Sequence, residues 1–223
     1  MPDISTQLWR PDRARLAELF KTDLTAGLTS DEAASRLKQH GPNQLQEKEG
    51  EGPWQLFFAQ FKNVIVWVLI GAALVSGMLQ EWVDTAAIVA IVILNAVLGF
   101  VQEYRAEKSL AALRKLSSPN SKALRNGLPC VVPSSELTPG DLVELEAGDH
   151  VPADCRVITH TANFNVQEAS LTGESQPVSK NEEPIDKDAV PLGDRTNMLF
   201  MGTAIVSGRC RALVVKTGMN TEL

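Results

Sequence analysis

Three cysteines, Cys130, Cys155 and Cys210, are too few and too widely separated to outline a disulfide framework. With no CxxC in the chain they outline no zinc clip either, so reduced thiols are expected. The three histidines, His40, His150 and His160, lack metal-ligand spacing, and no GxxxxGK[ST] phosphate loop occurs. Neither a metal nor a cofactor site is therefore expected. Basic charge is also scarce: 21 Lys and Arg stand against 27 Asp and Glu, a net charge of −6. Such a chain presents no global field for nucleic acid. The largely polar N-terminus has no apolar core of a cleavable signal peptide.

What the chain does have is strong segregation of its apolar residues. The uninterrupted run Val64–Leu79 covers only ~24 Å as a helix, so a span of ~30 Å must take in the Phe57–Phe61 turn, with Lys62 reaching to the headgroups. The second run, Trp82–Val101, is 20 residues long and spans without help. Only Gln80 and Glu81 separate the runs, which predicts a two-helix transmembrane hairpin within 54–101, with helices at about 57–79 and 82–101. The competing reading is a soluble β-domain protein whose apolar helices are core. Lys48 and Lys62 precede the hairpin and Arg105, Lys108, Arg114 and Lys115 follow it, while the turn region carries Glu81 and Asp84. This asymmetry places both termini in the cytoplasm of a multi-pass protein of the plasma or inner membrane. Trp54 and Trp82 are suited to the interface, and Asn95 to an interhelical hydrogen bond.

Helical spacing continues past the membrane. Val101, Ala106, Leu110, Leu113 and Leu116 form an apolar stripe until Pro119, predicting a cytoplasmic stalk over 102–118. Residues 1–53 read as an N-terminal helical region. It holds one helix at Arg13–Phe20 and another with Thr29 and Glu32 at capping-box spacing, stopped by Gly41-Pro42. Gly50–Pro53 reads as a linker.

Beyond 119 the texture is that of short strands: Cys130–Val132, Leu142–Glu146, Arg156–Thr159, Phe164–Glu168, Ala204–Val206 and Cys210–Lys216. Residues 119–223 are thus expected to form an all-β, sandwich- or jelly-roll-like module, and the whole chain an α + β membrane protein. Lys180–Arg195 is acidic and proline-bearing. It reads as an exposed, mobile loop that trypsin should cut first, at Lys180, Lys187 or Arg195.

The stretch QEASLTGESQP, 167–177, stands out chemically. Gly173-Glu174-Ser175 begins like a nucleophile elbow, but Pro177 occupies the fifth position and no strand–elbow–helix pattern surrounds it. Glu174 behind a glycine is a different proposition. A residue without Cβ lets the backbone approach another surface, and a carboxylate so presented can orient and deprotonate water. Attack of water on an acyl phosphate needs such a group, because phosphoryl transfer is mostly positioning and electrostatics.

The stretches LTPGDLVELEAGDHVPADCRVI (137–158), FNVQEASLTGESQPVSK (164–180) and NMLFMGTAIVSG (197–208) resemble the actuator domain of P-type cation-transporting ATPases. LNAVLGFVQEYRAEKSLAAL (94–113) is similar to the second transmembrane helix and stalk of the calcium-pump-like branch, and GLTSDEAASRLKQHGPNQL (27–45) to the N-terminal domain of type II pumps. The resemblance implies a distorted jelly-roll actuator whose TGES loop promotes hydrolysis of an aspartyl-phosphate intermediate during ion transport. On that reading Glu174 positions the water, Gly173 permits close approach, and Thr172 and Ser175 shape the loop. It also implies ATP and magnesium in the complete pump, and as partners the lipid bilayer, the phosphorylation and nucleotide domains and a transported cation. Calcium fits the branch; manganese and sodium stay open. No DKTGT motif lies within 1–223, so the chain alone is expected to show no ATPase activity. The alternative is a non-catalytic, membrane-anchored regulator or partner of a pump.

Overall fold

Capping side chains define the N-terminal helices. Asp12 accepts the amide of Arg15 at 2.8 Å and opens α1 (Arg13–Phe20), which Lys21 ends in the left-handed region. Thr29 accepts the amide of Glu32 at 3.2 Å and opens α2 (Ser30–His40), which Gly41 ends. The expected capping box is half made: the Glu32 carboxylate turns outward to Arg36 Nε, 2.7 Å away. A computed structural model of the chain describes residues 7–45, 52–62, 64–116 and 119–223, with 110–116 given as backbone alone. They divide into two units: the N-terminal helices with the C-terminal strands, and the helical segment between.

The first unit holds nine strands: β1 (Asn120–Arg125), β2 (Leu128–Pro133), β3 (Leu142–Glu146), β4 (Asp154–His160), β5 (Asn165–Gln167), β6 (Val178–Ser179), β7 (Met198–Leu199), β8 (Ala204–Ser207) and β9 (Arg209–Lys216). They form a six-stranded sheet, β2-β1-β3-β9-β4-β7, and a three-stranded one, β6-β5-β8. Every pairing is antiparallel. Strand β1 escaped the sequence reading, because NSKALR is poor in β-branched residues. Its signal lies next door: Asn126-Gly127, at φ 54° and 75°, is the two-residue turn that pairs β1 with β2.

Strand β9 is buried on both faces, and its alternation sorts two cores. Ala212 and Val214 join Val143, Val157, Phe164, Val166 and Ile205 on one side. Leu213 and Val215 join Leu124, Leu142, Ile158 and Phe200 on the other, where Leu8, Trp9 and Leu16 complete the layer. The module is therefore not all-β: the N-terminal segment supplies part of its second core. The acidic stretch expected to be mobile is fastened to the same segment. Ile185 N donates to Trp9 O at 3.0 Å and Trp9 Nε1 to Lys187 O at 3.0 Å. Arg10 pairs with Asp186 and Asp188, and Arg195 lies 4.1 Å over the Trp9 ring. Lys180, expected as an exposed cleavage point, is wholly buried.

In the second unit the first apolar run is not one helix. Pro53–Ala59 (α3) leads through a 3₁₀ turn at Gln60–Lys62 to Val64–Met78 (α4), and the two parts are bent by 67°. Polar Gln60 and Lys62 interrupt the run, and packing bends it: Phe57 meets Phe61 at 5.6 Å and Phe100 at 6.2 Å. Gly99 makes room for this, since a Cβ there would lie 2.3 Å from Gln60 Oε1. After a turn with Gln80 at φ 63°, α5 runs unbroken for 35 residues, Trp82–Leu116, as its pattern predicts. Within it, Trp82–Ser109 is long and apolar enough to cross a membrane, and only 11% of its apolar window is buried. Asn95 is exposed and makes no hydrogen bond among the described residues. Of the stalk stripe, Leu110, Leu113 and Leu116 lie outside the residues with described side chains, as do Gly50 and Glu51 of the linker.

Candidate functional site

The TGES residues sit at the tip of a loop between two paired strands. β5 enters and β6 leaves, in register Asn165↔Ser179 and Val166↔Val178. Between them Ala169–Thr172 (α6) makes a single turn, with the amides of Leu171 and Thr172 both donating to Glu168 O at 2.9 Å. Gly173 ends the turn at φ 77°, where its amide donates to Ala169 O at 3.0 Å. That left-handed conformation is cheap only for glycine. Nothing lies within 4 Å of the position a Cβ would take, so this side of the loop faces open space.

The polar groups of the tetrad are organised through the backbone. The Thr172 hydroxyl donates to Glu168 O at 3.1 Å and accepts the amide of Glu174 at 3.3 Å. Gln167 Nε2 donates to Ser175 O at 2.9 Å and ties the far side of the loop to β5. Residues 173–177 are all exposed, and the Glu174 carboxylate has no partner among the described residues. The loop leans on the body of the domain through Leu171, which packs on the second core beside Val190 and Leu192, and through Thr172, against which Gly193 fits closely. Thr172, Gly173, Glu174 and Ser175 are thus brought together on one exposed turn. A carboxylate there, held by its backbone and free at its oxygens, can accept a proton from water on a surface that comes to meet it.

Sequence reasoning missed the base of the loop. Glu168 and Lys180 are both 0% exposed and lie 2.6 Å apart, Oε1 to Nζ. Burial pushes the Glu168 carboxyl up and the Lys180 ammonium down, each opposed by its partner's charge. Their only signal was two opposite charges within the stretch 164–180, one on each side of the tetrad, which chain order alone does not distinguish from solvated residues. The PGD turn is structural. Asp141 is wholly buried, accepts Arg125 Nε at 2.9 Å and Nη2 at 2.6 Å, and takes the Thr138 amide at 2.9 Å. Buried Arg156, whose pKa burial lowers to about 10, donates among the described residues only to carbonyls: those of Val157, Asn197 and Glu182.

Away from the tetrad most charged side chains are paired, although Arg211 Nε is buried without a hydrogen-bond partner among the described residues. A cleft of about 400 Å³ over β1, β3, β4 and β9 contains none of the tetrad. Its Lys122 pairs with Glu146 and its Arg211 with Glu144 at 2.7 Å, while His160 pairs with Glu182. Among the described residues no three His, Cys, Asp or Glu side chains gather as a metal site.

Comparison with known proteins gives two family matches, the P-type ATPase actuator domain over residues 115–223 and the N-terminal domain of cation transporters and ATPases over 9–76. A calcium-transporting ATPase of Bacillus subtilis is 49% identical over 93% of the chain, and a probable cation-transporting ATPase F of Mycobacterium tuberculosis is 40% identical over 92%. A sodium/potassium exporting P-type ATPase of Schizosaccharomyces pombe is 38% identical over 99%. The chain spans 21–23% of the length of these relatives. It carries the N-terminal and actuator domains of P-type cation ATPases.

Proposed function

We propose that the chain is the N-terminal portion of an ATP-driven cation pump, in which Glu174 directs water onto an aspartyl-phosphate intermediate. The observation that carries this reading is an exposed, unpartnered carboxylate on a left-handed glycine turn whose outer face is open. In the proposed step the carboxylate takes a proton from water as the water oxygen bonds to phosphorus. The phosphorus–aspartate bond breaks, leaving inorganic phosphate and a free aspartate. A carboxylate facing a phosphate dianion is repelled, so the loop should meet it only when hydrolysis is due. A module carried on a helical stalk and free to swing suits that timing.

In this reading ATP and magnesium belong to the phosphorylation and nucleotide domains, which are the chain's partners. α5 crosses the bilayer, and the bent pair α3–α4 provides the second span of a hairpin whose flanking basic residues keep both ends cytoplasmic. A cysteine placed at Gln80 should react with an impermeant reagent in intact cells; labelling near Lys187 instead would reverse the topology. Calcium is the first cation to test, because the relative at 49% identity is named for it.

The test of the reaction is Glu174→Gln in the complete pump. Phosphorylation by ATP should persist while phosphoenzyme hydrolysis slows about 10²–10⁴-fold, the usual worth of acid–base assistance. The isolated chain should unfold within ~0.5 kcal/mol of wild type, as for other surface substitutions. Normal turnover of the glutamine variant would refute the role of Glu174.

A further inference from the structure

A loop whose tip is exposed depends on its base for much of its position. Residues 173–177 of the TGES loop are all exposed and the Gln167–Ser175 bond holds only the far side, yet a reacting carboxylate has to be held to within about 0.5 Å. At the base, Glu168 precedes α6 and Lys180 follows β6, and their buried side chains meet at 2.6 Å. The Lys180 ammonium also donates to Arg195 O at 3.2 Å and lies 5.6 Å over the Phe200 ring. From Glu168 a continuous set of bonds runs outward. Its carbonyl accepts the Thr172 hydroxyl at 3.1 Å, and that hydroxyl accepts the Glu174 amide at 3.3 Å.

Stability does not account for such a pair. Removing two charges from water costs as much as their attraction returns, and apolar replacements of similar size are often neutral or stabilising. What the pair does provide is a fixed separation between the two ends of the loop.

We propose that Glu168 and Lys180 form a buried clasp that closes the base of the TGES loop and, through Thr172, positions Glu174 for phosphoenzyme hydrolysis. The inference rests on the reading of Glu174 given above. Neither clasp residue touches the phosphate; both are positioning residues.

The experiment removes both charges at once, with Glu168→Leu and Lys180→Met combined. In the 223-residue chain in detergent, hydrogen exchange at the amides of Thr172, Gly173 and Glu174 should quicken several-fold, while the melting temperature holds or rises. In the complete pump, phosphoenzyme should form at the wild-type rate and hydrolyse about 10- to 100-fold more slowly, the cost of a small misplacement. Glu168→Gln alone, which keeps an acceptor for the ammonium, is read in parallel in case the double variant does not fold. Wild-type exchange and wild-type hydrolysis would overturn the clasp. So would a melting temperature that falls in step with hydrolysis, since that is a structural role alone. Glu174→Gln in the same pump separates the two ideas: if it hydrolyses normally, the reading of Glu174 fails, and the exchange rates still decide whether the clasp holds the loop.

Discussion

The two units handle the same apolar residue types in opposite ways. In β9 the run Ala212–Val215 is buried on both faces of the sheet, and each residue disappears into one of two cores. In α5, Ile93, Leu94, Val97 and Leu98 are about half exposed, with nothing among the described residues of the unit to cover them. Apolar content by itself thus says little about where a residue goes. What separates the units is whether backbone polar groups are satisfied within the segment, as in a helix, or need partner strands. A strand must find its neighbours and buries its side chains in doing so. A long helix can meet lipid as it stands.

The largest effect expected from this contrast comes from the polar groups that the β unit buries. Asp141→Ala leaves the largely buried guanidinium of Arg125 without its bidentate carboxylate, which should cost about 3–5 kcal/mol in chemical denaturation. A cost near zero would mean that the PGD turn is held by its backbone alone. Next, Leu213→Ala in β9 should cost about 2–5 kcal/mol, whereas Leu94→Ala on α5 should change stability in micelles by less than about 0.5 kcal/mol. Equal costs would erase the distinction between the units.

The smallest effect is a pH dependence confined to the β unit. Burial pushes the Cys155 thiol well up and the Cys210 thiol to about 12, from an ordinary value of 9.0. Above 9.0 the unfolded chain loses protons that the folded chain keeps, so stability should fall as pH rises through that value toward about 12. Cys210→Ala should flatten the slope measured by denaturation at pH 8–11, a window set by the ordinary thiol value of about 8.5–9. An unchanged slope would point to other titrating groups.

Much of the fold was legible because it follows rules that reach only a few residues. Asp12 and Thr29 cap helices through amides three residues on, and the apolar run beginning at Trp82 marks the start of a helix that extends to Leu116. Asn126-Gly127 obeyed the same kind of rule, and β1 could have been read from it. The tetrad Thr172–Ser175 was legible as a motif and its glycine as a turn. The bend before Val64 was not, because it depends on Phe57 finding Phe61 and Phe100. Nor was the fastening of 180–195, where Trp9 and Arg10 meet residues about 180 positions away.

The chain order alone therefore determined the helices, their caps, the long apolar span and the exposed carboxylate at Glu174, since each depends on neighbours within a turn or two. Tertiary structure decided which charges leave water. Glu168, Lys180, Asp141 and Arg156 look in sequence like any solvated residues, and only the strands and helices that close over them make each one a buried charge needing a partner. Burial is a property of the assembled layers, and no local pattern encodes it.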